Sequence, residues 1–337
     1  MRLDYLQKYD KNFPHMDLTE KIRLHALSRA DLEAETLALQ TQVKQLQSQL
    51  ASATQIAFYD SLTGLPNRHG YDRYVATLRT LSRTSEFQVA LDHGRGGGLL
   101  IAQVDIDHFK SINTMLTHFG GDAVLRDFAS RLAKGTRMNA APPDGPAKGA
   151  MNRCLGSLIV EQYMVQNGMK GSDLISRWGG EEFFCLFPLC YRNQHEARAA
   201  YDDADKIVQR LMDRIRSEPI IVPVNDQTYE NIKYSVIGNP DHYYQSAKLI
   251  DRNGKNVALP ISASIGYAVV SWEELMSHAS EDTAHLFRNV VDLLRRAKET
   301  GRNRAVTVRA AAHDNRAAIH VYEGRALHKT TTAEMLS

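Results

Sequence analysis

The sequence contains one long stretch without Gly or Pro, from Leu18 to Ala57. It is rich in Leu, Ala, Gln and Glu, which favour helix, and it predicts a single long α-helix. Spacings of four and three alternate along it at Leu32, Thr36, Leu39, Val43, Leu46, Leu50, Ala53 and Ala57. This period of about 3.5 residues is typical of a coiled-coil seam and predicts a homodimer through the helix. The alternative is an amphipathic helix that folds back on its own domain.

Composition limits the partners and the compartment. The 41 Lys and Arg nearly balance the 39 Asp and Glu, giving a net charge of +2, so we expect no nucleic-acid partner. The three cysteines lack the spacing of a disulfide framework or a zinc site. Residues 1–21 contain no apolar core, and no run of about 18 apolar residues occurs. We therefore expect a cytoplasmic protein that does not insert into membranes.

A second region, residues 58–309, alternates strand and helix patterns. The apolar run Leu99–Asp107 ends in acidic residues, which predicts a buried strand with Asp105 and Asp107 at its end. Further helices are predicted at 119–134, 197–216 and 286–299, and a strand at 261–270. Residues 135–170 and 217–258 interrupt the alternation and are interpreted as insertions. Residues 1–17 form an arm, and the tail 310–337 shows no clear period.

A β-hairpin with acidic residues at its tip is predicted within Leu174–Leu186, around the turn Gly179–Gly180. Glu181 and Glu182 follow the two glycines, which allow a ligand to approach the backbone. A close approach of Asp105 to Glu181 would give oxygen ligands suited to Mg²⁺. A single acid in such a place is more often a solvated turn residue. Only the combination with the Gly-Gly turn favours a functional site.

Two basic residues, Lys298 and Arg302, lie four apart at the end of the last predicted helix and so share a face. They are consistent with a phosphate clamp. Taken alone, they are equally consistent with a solvated basic helix end that interacts with the helix dipole.

Five segments in order resemble the motif blocks of the GGDEF family. They are Asp60–Arg68 (DSLTGLPNR), Asp105–Asp122 (DIDHFKSINTMLTHFGGD), Arg177–Phe183 (RWGGEEF), Ser264–Gly266 (SIG) and Ala297–Asn303 (AKETGRN). The resemblance implies a diguanylate cyclase, which condenses two GTP into cyclic di-GMP. It also implies an α+β fold like the palm of nucleotidyl cyclases and polymerases, with a mainly antiparallel sheet flanked by helices.

The resemblance also assigns roles to individual residues. The implied ligands of Mg²⁺ (or Mn²⁺) are Asp105, the Ile106 carbonyl and Glu181, with Glu181 and Glu182 as catalytic groups. The implied GTP-binding residues are Phe109, Lys110, Asn113, His118, Asp122, Gly179, Gly180, Lys298 and Arg302. Asn113 and Asp122 would bind guanine, beside His118, and Phe109, Lys110, Lys298 and Arg302 would hold the triphosphate.

The sequence departs from the family pattern at the product-binding inhibitory motif, Arg-x-x-Asp. Lys170 stands where the arginine would be, whereas Asp173 is retained. We therefore expect weak or absent product inhibition. Two other functions are considered: a catalytically silent domain that binds GTP or cyclic di-GMP, and a cyclase that makes a mixed GMP–AMP product. The intact acidic residues and glycines argue against the first, and Asp122 argues against the second.

Overall fold

The computed structural model describes residues 17–90, 97–134, 136, 155–169, 171–190, 200–238, 247–250, 255–277, 284–310, 317–323 and 326–330. The chain divides into two units, Met1–Ala57 and Phe58–Ser337. The helices are α1 (Leu18–Phe58), α2 (Arg68–Ser82), α3 (Ser85–Ala90), α4 (Phe109–Ala133), α5 (Leu155–Gln166), α6 (Ala200–Arg216), α7 (Asp226–Gly238), α8 (Trp272–Ser277) and α9 (Ala284–Glu299). The strands are β1 (Gly97–Ile106), β2 (Leu174–Gly179), β3 (Glu182–Cys190), β4 (Ile220–Pro223), β5 (Lys248–Ile250), β6 (Asn256–Leu259), β7 (Ala263–Ser271), β8 (Arg304–Ala310), β9 (Ala317–Glu323) and β10 (Ala326–Thr330).

The first unit consists of the long helix that the sequence predicts. Helix α1 extends over 41 residues and begins where the Asp17 side chain accepts a hydrogen bond from the Glu20 amide, at 2.8 Å. The seam side chains Leu39, Val43, Leu46 and Leu50 are all more than half exposed. No helix in the described parts of the chain has both the length and the apolar character needed to cross a membrane.

The second unit is built on a seven-stranded sheet with the order β10-β9-β8-β7-β1-β3-β2. Neighbouring strands are antiparallel except β7 and β8, which are parallel. β1 is buried at every position after Gly97, as its continuous apolar run predicts. A separate three-stranded sheet, β4-β6-β5, lies within the segment interpreted as the second insertion.

Helices cover both faces of the seven-stranded sheet because β1 points alternate side chains to opposite sides. Leu100, Ala102 and Val104 pack in a core cluster with α4 and α6 residues, whereas Leu99 and Ile101 pack in a second cluster with residues of α2, α5 and α8. The predicted α+β fold, with a mainly antiparallel sheet flanked by helices and preceded by a long helix, is confirmed.

Helix α9 approaches β7 closely because Gly266 has no side chain. A Cβ atom at this position would lie 2.3 Å from the Leu294 nitrogen and 2.4 Å from the Val290 carbonyl oxygen. Both distances are far below van der Waals contact, so only glycine allows the helix to pack here. This packing sets the height of α9 above the sheet and therefore the position of the basic residues at its end.

The structure differs from the sequence-based predictions at two elements. The helix predicted at 119–134 begins ten residues earlier, at Phe109, and is interrupted at Thr117, whose φ of 63° is left-handed. The tail beyond Arg309, to which the sequence assigned no role, contributes β9 and β10 to the main sheet. Residues 137–154 and 251–254, within the two segments interpreted as insertions, lie outside the described residues.

Candidate functional site

The ends of two neighbouring strands bring acidic residues together. Asp105 of β1 lies opposite Glu182 of β3 in the antiparallel register, and the Ile106 amide faces the Glu181 carbonyl oxygen at 3.5 Å. The Asp105 side chain is 6% exposed, and its Oδ2 lies 2.8 Å from the Lys298 ammonium. Asp105 thus lies beside the hairpin and forms an ion pair with Lys298 of α9, whereas its predicted close approach to the Glu181 carboxylate stays a prediction.

The electrostatic balance at Asp105 is dominated by burial, which raises the pKa of its carboxyl to about 6. The Lys298 ammonium acts in the opposite direction through a hydrogen bond and its charge, whereas Glu181 and Glu182 raise the pKa further. The contacts with Lys298 therefore do not offset the effect of burial on this carboxyl. Among the residues that the structure describes, no three His, Cys, Asp or Glu side chains form a complete metal-binding cluster.

The hairpin turn leaves open space above its backbone. A Cβ atom at Gly179 or Gly180 would meet no atom within 4 Å, and Gly180 has a left-handed φ of 50°. The absence of side chains here is therefore not required by packing against the protein. It leaves the turn accessible to a ligand beside the acidic residues, as the sequence analysis predicted for these two glycines.

An ion pair supports the turn, and its two members are not among the site residues predicted from the sequence. Arg177 Nη1 lies 3.1 Å from both carboxylate oxygens of Asp60, and its Nε donates to the Gly180 carbonyl oxygen at 2.9 Å. Burial acts to raise the pKa of Asp60, but hydrogen bonds from Thr63 and Arg177 outweigh it and hold the pKa below its usual value. The first and third motif blocks therefore form one scaffold for the hairpin.

The residues expected to recognise a base lie on both sides of the interruption in α4. Asn113 precedes Thr117, and His118 and Asp122 follow it. Gly121 allows the Asn113 side chain to occupy its position, since a Cβ at Gly121 would lie 1.8 Å from Asn113 Oδ1. Gly121 lies within the second motif block, and its contact with Asn113 was not predicted from the sequence.

The residues expected to hold phosphates come from two helix ends. Phe109 and Lys110 occupy the first turn of α4, where backbone N–H groups lack intrahelical acceptors. The Phe109 side chain is buried, so only its backbone is available to a ligand. Lys298 lies in the last turn of α9, and Arg302 follows in an exposed turn with a left-handed φ of 60°.

A second groove lies away from the acidic residues and includes part of the expected inhibitory site. Asp173 is 7% exposed and lines it together with Arg210 and Arg214 of α6. Burial, and secondarily the charge of Arg210, lower the pKa of Arg214. Lys170 lies outside the described residues. The two arginines were not identified from the sequence because they belong to no motif block.

Comparison with known proteins gives a family match over part of the chain. Residues 57–141 match the family described as "Diguanylate cyclase, GGDEF domain". This segment contains the first two motif blocks, and the resemblance to the GGDEF family that the sequence predicted is confirmed there.

Individual relatives match only part of their length. The diguanylate cyclase DgcP of Pseudomonas aeruginosa is 34% identical over 151 residues, covering 45% of this chain and 16% of that protein. The cyclic di-GMP phosphodiesterase NbdA of the same organism is 29% identical over 178 residues, covering 53% and 16%. A solved structure of the coiled coil and GGDEF domain of DgcB from Caulobacter crescentus, in complex with c-di-GMP, is 22% identical, covering 82% of this chain and 98% of that one, with a TM-score of 0.47. This chain spans half or less of the length of these curated relatives.

The scaffold under the hairpin generates a prediction. Replacing Arg177 by Lys should lower the free energy of unfolding by about 1–2 kcal/mol, because an ammonium cannot contact both Asp60 oxygens and the Gly180 carbonyl in this geometry. Hydrogen exchange at the amides of Gly179–Glu182 should become faster. The matched control is Arg295→Lys, whose ion pairs are exposed and contribute little. If both substitutions changed hydrogen exchange at these amides equally, Arg177 would not have the proposed role in supporting the turn.

Proposed function

We propose that this protein is a diguanylate cyclase, which joins two GTP molecules into cyclic di-GMP and releases two pyrophosphates. The main support is the buried Asp105 carboxylate, which lies beside the hairpin acids, an open Gly179–Gly180 turn and the Lys298 ammonium. Phosphoryl transfer requires chiefly positioning and charge neutralisation, and these groups supply both. The family match and the activity named for DgcP support the same reaction class.

The acidic residues fit a divalent cation. Asp105, the Ile106 carbonyl and Glu181 offer the oxygen ligands that Mg²⁺ prefers, and Mn²⁺ accepts the same set. Asp105 and Glu182 face each other at the ends of neighbouring strands, with Glu181 beside them in the chain, so several oxygen ligands are available at one place. Such sites usually hold the ion with one or two carboxylates and complete the shell with substrate phosphates. When bound, the ion polarises the α-phosphate and lowers the pKa of the attacking 3′-hydroxyl.

The chain's own residues then divide the chemistry between them. The 3′-oxygen of one GTP attacks the α-phosphorus of the other, and the bond to the pyrophosphate leaving group breaks. Glu181 accepts the 3′-hydroxyl proton, directly or through water, and Glu182 orients the reacting groups. The amides of Phe109 and Lys110, together with Lys298 and Arg302, stabilise the charge on the triphosphate.

Base selection is proposed to rest on Asp122 and Asn113. A carboxylate accepts both N1–H and N2–H₂ of guanine, whereas adenine offers no such pair of donors. Leaving a buried polar group unpaired costs on the order of 1–3 kcal/mol, so ATP is rejected. His118 forms part of the same wall.

The product requires two chains. Each 3′-oxygen must attack the other nucleotide, and one domain holds one GTP, so two domains must face each other antiparallel. The exposed apolar positions of α1 supply a seam for a second copy of the chain. The homodimer is therefore part of the proposed function.

The alternative is a silent domain that binds GTP or cyclic di-GMP. The relatives of this chain include NbdA, which is named as a cyclic di-GMP phosphodiesterase and not as a cyclase. Purified protein incubated with GTP and Mg²⁺ distinguishes the two. Formation of cyclic di-GMP and pyrophosphate supports the cyclase, and binding of GTP without product supports the silent domain.

Replacing Glu181 by Gln should reduce turnover by at least about a hundredfold, because it removes a charged group from the reacting centre. The rate of pyrophosphate release measures this effect. Glu299→Gln, at an exposed position of α9, serves as the control and should leave the rate unchanged. Undiminished turnover in Glu181→Gln would remove this residue from the mechanism.

Replacing Leu39 and Leu46 together by Asp should weaken the dimer by several kcal/mol, since charges would be buried at the seam. Sedimentation measures the dimer, and activity per chain should become strongly concentration-dependent. Leu37→Asp is the matched control, because Leu37 is exposed on the same helix but lies outside the seam. A dimer unchanged by the double substitution would exclude the seam as the interface.

Product inhibition should be weak or absent. An ammonium at position 170 lacks the planar, bidentate fit of a guanidinium to phosphate or guanine. Titration of cyclic di-GMP into the cyclase assay, beside a Lys170→Arg variant, measures the effect, and the variant should be inhibited more strongly. Tight inhibition of the unaltered protein that persists in Asp173→Ala would show that feedback acts at another site.

A further inference from the structure

Asp107 is a buried carboxylate that the proposed chemistry does not use. It lies two residues beyond Asp105 and is 1% exposed. Its oxygens accept hydrogen bonds from the Ser264 hydroxyl at 2.6 Å, the Ser262 hydroxyl at 2.8 Å and the Asn303 backbone N–H at 2.8 Å. Asp107 therefore ties the end of β1 to the start of β7 and to the turn after α9.

The turn that Asp107 holds has an unfavourable backbone. Gly301, Arg302 and Asn303 all have left-handed φ angles, of 126°, 60° and 51°. For residues other than glycine, this conformation is unfavourable, so surrounding contacts must maintain it. One such contact is local: the Arg302 amide donates to the Ala297 carbonyl oxygen at 3.0 Å and closes the end of α9.

Arg216, the last residue of α6, holds the same turn from outside. Its Nε donates to Asn303 Oδ1 at 2.7 Å, and its Nη2 donates to the Asn303 carbonyl oxygen. Asp107 thus fixes Asn303 through the backbone N–H, and Arg216 fixes it through the side-chain and backbone oxygens. These contacts come from the end of β1 and from α6, which are distant in sequence from the turn. By fixing Asn303 they constrain the backbone of the preceding residue, Arg302.

We propose that Asp107 and Arg216 are positioning residues for Arg302. They hold Asn303, and through it the left-handed turn, so that Arg302 reaches the triphosphate without first ordering its own backbone. The inference rests on the proposed function, because it assigns Arg302 to the phosphates of GTP. Asp107 acts through the turn, in contrast to its neighbour Asp105, which faces the hairpin acids.

A double-mutant cycle tests this role. GTP and GMP binding is titrated calorimetrically in protein that also carries Glu181→Gln, so that turnover does not consume GTP. Arg216→Ala and Arg302→Ala should each weaken GTP binding about tenfold, which corresponds to ~1.4 kcal/mol. The two together should be no weaker than Arg302→Ala alone, since Arg216 acts through Arg302. The affinity for GMP, which lacks the outer phosphates, should decrease much less.

Two further variants complete the test. Asp107→Asn replaces an acceptor oxygen by a donor and should show the same selective loss of GTP binding, whereas Arg83→Ala, at an exposed residue beyond α2, should bind GTP normally. Additive losses from Arg216→Ala and Arg302→Ala, or equal losses for GTP and GMP, would overturn the positioning role. The cyclase assay of the unaltered protein tests the proposed reaction separately. GTP binding without product formation would reject the reaction, but the double-mutant cycle could still be interpreted. Absence of GTP binding would overturn both the reaction and the positioning role.

Discussion

The position of β1 between β3 and β7 is the constraint on which the site depends. One register sets Asp105 opposite Glu182 on one side and opposite Ser264 on the other. Because side chains alternate along a strand, a shift of one residue would turn Asp105 away from the face it occupies and would exchange the two core clusters. The burial of apolar residues on both faces of β1 therefore fixes the acidic end of the strand at the same time.

The local elements of the site were predictable from the sequence because their signals are local. The apolar run of β1 and the Gly179–Gly180 turn were both identified correctly, since a buried strand and a tight hairpin each follow from fewer than about a dozen residues. The ordered motif blocks then indicated which side chains belong together. The long helix was equally clear from its composition.

Contacts between distant segments were not predictable in the same way. Asp60 and Arg177 are 117 positions apart, and nothing in their residue types predicts that they form an ion pair. Position 121 must be glycine because any Cβ there would clash with the Asn113 side chain, and this contact is visible only in the folded structure. The residue type of Thr117 disfavours a left-handed backbone, and only the surrounding structure imposes that conformation.

The C-terminal strands have a consequence for where the folded unit can end. β8 pairs with β7 at only two positions but with β9 at seven, so most of its lateral support comes from beyond Arg309. A chain cut directly after β8 would leave that strand as an unprotected sheet edge, prone to pairing with other molecules. It would also loosen the strand that follows Asn303 directly. The smallest stable fragment of the second unit therefore extends past its last recognisable motif.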